Sequence, residues 1–130
     1  MNTFQQLGLT EDLLHAITDL GFETPSDVQI KAIPVLLEKD TDLVALAQTG
    51  TGKTAAFGLP LITNIDNHAT VPQGLVICPT RELCLQIAKD LETYAKYLKI
   101  NIVAVYGGTD IRRQMTDIKK GVSIVVATPG

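Results

Sequence analysis

The sequence is poor in several features that would point to common classes of protein. Tryptophan is absent, and aromatic residues make up only 5% of the chain. The formal net charge is −3, so the chain lacks the basic surface by which many proteins hold duplex DNA through its phosphates. Any contact with a nucleic acid must therefore be local, made by a few side chains and backbone N–H groups.

Cysteine is also scarce, and no apolar run is long enough to cross a membrane. Cys78 and Cys84 are not spaced as a redox pair or a zinc site, so we expect two reduced, mostly buried thiols. Residues 1–4 show no basic segment followed by an apolar core, which predicts no secretory signal and a cytoplasmic protein. The 130 residues suffice for one globular domain, and the sequence shows no domain boundary.

Apolar runs of strand length alternate with segments of helical period. Three of the four predicted strands are almost continuously apolar, as strands covered on both faces are, and such strands usually belong to parallel sheets. The fold class predicted is therefore α/β, with a mostly parallel sheet flanked by helices. A first helix is predicted up to Leu20, with Thr10 as its cap and Gly21 as its stop. Further helices are predicted over residues 28–37, 53–67, 80–98 and 110–119, and strands over residues 43–47, 74–78, 100–106 and 122–127.

Four segments directly follow predicted strands: residues 47–54, 79–81, 107–108 and 128–130. In open α/β sheets, ligands bind outside the carboxyl ends of the strands. The sequence therefore predicts that these segments lie along one rim and form the functional site.

Residues 47–54, AQTGTGKT, form the segment with the clearest chemistry, and we call them the phosphate loop. Gly50 and Gly52 allow backbone angles closed to other residues, so that successive N–H groups can surround phosphate oxygens at a helix start. Lys53 supplies a charge for the outer phosphates, and the Thr54 hydroxyl suits a magnesium ion. The alternative is a Gly-Thr turn with a surface lysine.

The other segments have plain structural explanations when each is taken alone. Residues 21–29, GFETPSDVQ, are a helix stop followed by a helix start, with Thr24 and Pro25 as cap and first turn. Residues 79–83, PTREL, are a helix start with Thr80 as cap. Residues 107–108 and 128–130 are turns.

Taken together, five segments resemble, in their order and intervals, the N-terminal part of the first RecA-like domain of a DEAD-box RNA helicase. These segments are GFETPSDVQ, AQTGTGKT, PTREL, GG and TPG. Phe4 precedes Gly21 by the interval at which that family carries an upstream aromatic residue. The resemblance covers residues 1–130 and implies a partial RecA-like P-loop NTPase fold. It also implies ATP as cofactor with Mg²⁺ (ADP or AMP binding as well), and a parent protein that unwinds RNA.

The resemblance assigns roles by position. Residues 21–29 are similar to the family's Q motif, which implies that Gln29 reads the adenine edge, that Phe22 packs on the base and that the backbone near Thr24 assists. Lys53 and Thr54 would be catalytic, with Thr54 on the metal. The nucleotide-binding set is Phe22, Thr24, Gln29, Gln48, Thr49, Gly50, Thr51, Gly52, Lys53, Thr54 and Ala55. The set lining the single-stranded RNA path is Pro79, Thr80, Arg81, Gly107, Gly108, Thr128, Pro129 and Gly130.

The 130 residues depart from the family pattern in what they do not contain. They contain neither the Asp-Glu-Ala-Asp segment nor the Ser-Ala-Thr segment of that family, and they contain no second RecA-like domain. Phosphoryl transfer needs a metal-holding carboxylate and a positioned water. None of the nearest acidic residues ends an apolar strand; these are Asp40, Asp42, Asp66 and Asp110. We therefore expect nucleotide binding without hydrolysis, weak RNA binding, and an exposed sheet edge that favours self-association.

Two other function classes fit parts of the sequence. A small P-loop kinase or GTP-binding switch would share the phosphate loop, but no Asn-Lys-x-Asp guanine signature is present and Gln29 suits adenine. An RNA-binding scaffold with a vestigial loop would share the later segments, but the intact pair Lys53 and Thr54 argues against it.

Overall fold

The computed structural model describes residues 3–48, 50–68 and 70–129. The chain divides into two compact units, Met1–Asn64 and Ile65–Gly130. Among the helices of these described ranges, none is both long and apolar enough to span a bilayer.

The first unit is helical in the part that is described. Thr10 is the N-cap of the first helix, as predicted, and the second and third helices pack against each other. The core contains side chains that are at most 2% exposed, among them Leu13, Ile33 and Leu59. The elements are a short 3₁₀ helix, Phe4–Leu7, and the helices α1 (Glu11–Asp19), α2 (Asp27–Glu38) and α3 (Lys53–Thr63).

The second unit is a three-stranded parallel sheet with two helices, which confirms the predicted fold class. The order of the strands is β1-β3-β2, so that β3 is the middle strand. Helix α4 packs on β2 and β3 and helix α5 contacts β2, and the fully buried side chains include Cys84, Leu91 and Val126. The elements are β1 (Gly74–Ile77), α4 (Arg81–Tyr94), β2 (Ile102–Val105), α5 (Ile111–Lys119) and β3 (Ile124–Ala127).

Because the three strands are parallel, their carboxyl ends share one edge of the sheet, which we call the carboxyl edge. Residues 79–81, 107–108 and 128–129 each follow a strand there. The prediction that these three segments lie along one rim of the sheet is therefore confirmed. The phosphate loop belongs to the first unit and is described there.

The predicted strand over residues 43–47 is wrong. These residues adopt no regular secondary structure, and the side chains of Val44 and Leu46 are 88% and 95% exposed. A strand needs a neighbour for its backbone N–H and C=O groups, and no described strand pairs with this segment.

Several element ends also differ from the prediction. Helix α3 ends at Thr63 rather than near residue 67, and α4 ends at Tyr94 rather than at Leu98. Beyond Tyr94 the backbone makes tight turns, in which Lys96 N–H donates to Thr93 O and Leu98 N–H to Ala95 O. The cap of α2 is Ser26, whose angles are extended, rather than Thr24.

Candidate functional site

The phosphate loop has the backbone geometry that its glycines predict. Gly50 and Gly52 lie in the left-handed region, with φ of 83° and 81°, and Gly52 is the N-cap of α3. The Thr51 hydroxyl donates to the Gln48 carbonyl at 2.6 Å, which closes the loop on itself. Thr49 lies outside the described residues. The turn therefore forms without a strand before it.

The first turn of α3 offers donors to an anion. The first helical hydrogen bond runs from Ala56 N–H to Gly52 O at 3.1 Å, and no side chain of the described residues caps the N–H groups before it. Lys53 is exposed, Thr54 is half-buried and Ala55 is buried. Uncapped N–H groups and the positive end of the helix dipole favour a phosphate here, so the geometry fits the nucleotide that the sequence implies.

Gln29 connects α2 with the phosphate loop. Its side chain is only 5% exposed, its Oε1 accepts from Ser26 N–H at 2.9 Å, and its Nε2 donates to Gly52 O at 3.1 Å. A Cβ added at Gly52 would collide with Gln29 Nε2. The predictions for this residue missed the contact with Gly52. The spacing of Ser26 and Gln29 is that of a capping box, which could have revealed the bond to Ser26.

A buried hydroxyl lies beside this contact. Ser26 Oγ faces the backbone N–H of Gln29 in the capping box of α2, but it makes no hydrogen bond of normal geometry among the described residues, and it lies 3.6 Å from the position that a Cβ on Gly52 would take. A buried polar atom without a partner is costly. It is therefore a second polar group, besides the Gln29 amide, that a ligand at the loop could satisfy.

Aromatic residues flank the start of α2. The rings of Phe4 and Phe22 lie 6.1 Å apart between centroids with a 31° tilt. Phe4 is buried and Phe22 is half-buried, whereas Thr24 is exposed. The upstream aromatic residue thus packs against the residue expected to contact the base.

At the carboxyl edge, Arg81 is the charged residue of the predicted RNA set. Its guanidinium carbon lies 4.8 Å from the centre of the Tyr106 ring. Its Nη1 lies 3.6 Å from the Cβ position of Gly108, whose φ of 84° places that glycine in the left-handed region. Sequence analysis missed Tyr106, although its position directly before Gly107 could have indicated it.

The remaining residues of the predicted RNA set make mainly structural contacts. Thr80 Oγ1 accepts from Leu83 N–H at 3.2 Å and so caps α4, as predicted. Thr128 N–H donates to Val105 O at 3.1 Å, which ties the end of β3 to β2. Pro79, Gly107 and Pro129 are exposed, and Gly130 lies outside the described residues.

Gln114 holds the loop that contains Gly107 and Gly108. Its Nε2 donates to Tyr106 O at 3.1 Å and to Thr109 Oγ1, and Thr109 Oγ1 in turn donates to Tyr106 O at 3.2 Å. The loop therefore has a fixed shape, set by the first turns of α5.

The described residues contain no group of three or more His, Cys, Asp or Glu side chains that could hold a metal ion. Asp110, one of the acidic residues considered above, caps α5 by accepting from Arg112 N–H at 2.9 Å. The metal ligand that the sequence implies, the Thr54 hydroxyl, lies in the first turn of α3.

The two cysteines are free and buried, as predicted. Cys84 Sγ donates to Val126 O at 3.1 Å, and Cys78 Sγ donates to Ala127 O at 3.5 Å. Burial and the neighbouring Cys78 thiol raise the pKa of Cys84. A raised thiol pKa lowers the thiolate fraction at neutral pH, so Cys84 is not an activated nucleophile.

Comparison with known proteins agrees with this geometry. The DEAD/DEAH box helicase family matches residues 26–130. The chain is 46% identical over 130 residues to the DEAD-box ATP-dependent RNA helicase CshA of Bacillus cereus, covering all of this chain and 25% of the relative. It therefore spans about a quarter of that relative's length.

Solved structures of the same family share the fold. A DEAD box protein from Methanococcus jannaschii superposes with a TM-score of 0.94 at 38% identity, covering 100% of this chain and 35% of the other. Dbp5 of S. cerevisiae, solved bound to RNA and ADP BeF3, gives a TM-score of 0.88 at 31% identity and covers 100% and 32%. The sheet and helices thus form part of a RecA-like domain, and the chain belongs to the DEAD/DEAH box helicase family.

Proposed function

We propose that these 130 residues form the adenine-nucleotide-binding part of an ATP-dependent RNA helicase and one part of its RNA path. The observation that carries this proposal is the phosphate loop, in which Gly50 and Gly52 turn the backbone directly before the uncapped start of α3. Lys53 would bind the outer phosphates of ATP, and the Thr54 hydroxyl would bind Mg²⁺, with Gln48, Thr49, Thr51 and Ala55 completing the cradle. ADP and AMP would occupy the same site.

The hydrogen bonds of Gln29 leave room for the adenine-reading role. An amide has two acceptor lone pairs and two N–H donors. Ser26 N–H uses one lone pair and Gly52 O uses one N–H. Among the described residues, one lone pair and one N–H of Gln29 are left without a partner, which is what the N6 amino group and N7 of adenine require. Phe22 would add contact area to the base.

Competition between AMP and GMP tests this role, because monophosphates depend most on base contacts. We expect wild-type protein to prefer AMP by about one to two decades, since guanine places O6 against the amide oxygen. Gln29→Ala should abolish the preference if Gln29 reads the base. If Gln29 only holds the loop, the variant should weaken AMP and GMP by the same factor.

Two lysine variants, Lys53→Ala and Lys39→Ala, test whether Lys53 binds the outer phosphates. Lys53→Ala should weaken ADP much more than AMP, because Lys53 is placed for the outer phosphates. Lys39→Ala removes an exposed lysine that lies just beyond α2 and should change neither affinity. Equal affinities of wild type and Lys53→Ala for ADP would contradict the assignment.

The hydrolysis of ATP would belong to the longer polypeptide. The 130 residues contain no Asp-Glu-Ala-Asp segment, and hydrolysis needs a carboxylate-held metal and further charge stabilisation, which in the parent would include a second RecA-like domain. We propose that these residues alone bind ATP in the cytoplasm but do not hydrolyse it. Release of phosphate that Lys53→Ala abolishes would refute this.

RNA would bind across the carboxyl edge, through Arg81, the Thr80 and Thr128 hydroxyls, and the backbone N–H groups of Gly107, Gly108 and Gly130. Such contacts reach phosphate and sugar, so they carry little sequence preference. With a net charge of −3, we expect dissociation constants no tighter than about 10⁻⁴–10⁻⁶ M at physiological salt. Nanomolar binding of single-stranded RNA by these residues alone would be inconsistent with a partial site.

Self-association is the partner prediction that the sheet supports. The outer strand β1 carries Leu75 and Ile77, which are 62% and 65% exposed. An apolar outer strand favours pairing with another chain. Sedimentation velocity should show concentration-dependent dimers, and a clean monomer at high concentration would refute the idea.

A further inference from the structure

We propose that Tyr106 is a positioning residue, which orients the guanidinium of Arg81 toward an RNA phosphate at the carboxyl edge. This inference rests on the RNA-binding role proposed above. It adds a residue that the predicted RNA set does not contain.

The contact links the two outer strands of the sheet. Arg81 begins the helix that follows β1, and Tyr106 directly follows β2, while β3 lies between the two strands. The guanidinium carbon of Arg81 nevertheless lies 4.8 Å from the centre of the Tyr106 ring. The arginine side chain therefore reaches across the carboxyl end of β3, which is followed by Thr128.

The contact with the ring leaves hydrogen-bonding groups of the arginine available. A guanidinium carries five N–H donors, and the attraction between its charge and a ring does not use all of them. Gly108 lies beside Nη1 without a side chain of its own. No carboxylate of the described residues lies within 4.0 Å of Arg81. The charge is thus oriented but not neutralised, which suits bidentate binding of a phosphate.

The backbone that carries the Tyr106 ring is held in place. Gln114 donates to the Tyr106 carbonyl at 3.1 Å, and Tyr106 is half-buried whereas Arg81 is exposed. A long exposed arginine samples many rotamers unless a neighbour restricts it. The half-buried ring on this anchored backbone therefore restricts the direction in which the exposed arginine side chain points.

A double-mutant cycle in the protein at its full natural length tests the proposal. The variants are Tyr106→Phe, Tyr106→Leu, Arg81→Gln and the double variant Tyr106→Leu/Arg81→Gln, each titrated with a single-stranded RNA at several salt concentrations. Tyr106→Phe keeps the ring and should bind like wild type. Tyr106→Leu should weaken binding about two- to fivefold, the usual size of an exposed cation–π contact. Arg81→Gln should lower the salt slope by about 0.7, the value for one phosphate contact on a single strand.

The decisive comparison is between the effect of Tyr106→Leu on RNA affinity in the wild-type protein and its effect in the Arg81→Gln variant. If Tyr106 acts through Arg81, then Tyr106→Leu has no further effect once Arg81 is glutamine. Equal weakening in both backgrounds, or the same loss in Tyr106→Phe as in Tyr106→Leu, would overturn the inference. If Tyr106→Leu does not fold, Tyr106→Met, which is flexible and has no ring, takes its place with the same expectations. Absence of RNA binding by wild type would refute the RNA role itself, and with it this inference.

Discussion

Two apolar segments of the chain have similar sequences and different structures. Residues 43–47 read LVALA, and β3 (Ile124–Ala127) reads IVVA. Each is followed by a loop rich in Thr and Gly that belongs to the predicted site. Only the second is a strand, and it is the middle strand of its sheet.

The difference lies in the neighbours rather than in the segments. Every residue of β3 faces a residue of β1 on one side and of β2 on the other. Residues 43–47 have no such neighbours among the described parts of the chain, and a cleft of about 450 Å³ lies between this segment and α2. Apolar composition allows a strand, but hydrogen-bonding partners determine whether it forms.

The phosphate loop keeps its shape without a paired strand before it. Its far end is fixed by the start of α3, and Gln29 binds the carbonyl of Gly52 from α2. The loop after β3 is held differently, through Thr128 N–H and its bond to Val105 O on the neighbouring strand. One loop is thus held by a helix and a side chain, and the other by the sheet.

Amide exchange should show the largest difference between the two segments. Amides of a middle strand exchange only by extensive unfolding, whereas unpaired amides exchange freely. With ordinary domain stability, we expect β3 to exchange slower than residues 43–47 by about three orders of magnitude or more. Hydrogen exchange followed by mass spectrometry measures this. Slow exchange at residues 43–47 would show that the segment is paired after all.

Truncation of one side chain in each segment should give the next largest effect. Ile124 is fully buried and Leu46 is 95% exposed. Ile124→Ala should lower the free energy of unfolding by about 2–5 kcal/mol, and Leu46→Ala should change it by less than about 0.5 kcal/mol. Urea denaturation measures both. A comparable loss in Leu46→Ala would mean that this side chain is packed.

These contrasts show which features of the structure could be predicted from the sequence. Helix starts were predictable where a capping residue marks them, as at Thr10 and Thr80, and β3 was predictable from its apolar run. Pairing was not predictable, because the pattern of residues 43–47 resembles that of β3 and contains no information about its partners. The residues of the predicted site were chosen from their motifs, and their roles stay predictions. The link from Gln29 to Gly52 and the stack of Arg81 on Tyr106 depend on tertiary placement, which no local pattern encodes.

Two glycines of the phosphate loop allow a sharper test of how that loop is held. Gly50 and Gly52 have nearly the same positive φ, so alanine should cost about 1–2 kcal/mol at either position. At Gly52 the new Cβ would also displace Gln29 Nε2, whereas nothing lies within 4 Å at Gly50. We expect Gly52→Ala to cost about 0.5–1.5 kcal/mol more, the size of one hydrogen bond. Thermal denaturation of both variants measures the difference, and equal costs would show that Gln29 does not hold the loop.

The last prediction concerns alkaline pH, and it reports on the unit with the paired strands alone, because all three tyrosines lie in that unit. Tyr94 is only 6% exposed at the end of α4, and burial, with Asp90 one turn earlier, raises its pKa to about 12. In the unfolded chain the phenol has a pKa of about 10. The folded state therefore favours the neutral phenol. This contribution to the free energy of unfolding is fully present below pH 10 and is lost as the pH rises through 12.

Tyr94→Phe should show a smaller fall in the free energy of unfolding between pH 10 and 12 than wild type does. Both proteins are also measured at pH 7, where the Tyr94 phenol is protonated in the folded and the unfolded chain alike, as the reference. Urea denaturation across this range, with tyrosinate absorbance followed in parallel, measures both, and identical profiles for wild type and Tyr94→Phe would show that the Tyr94 phenol is not held neutral by the packing of α4.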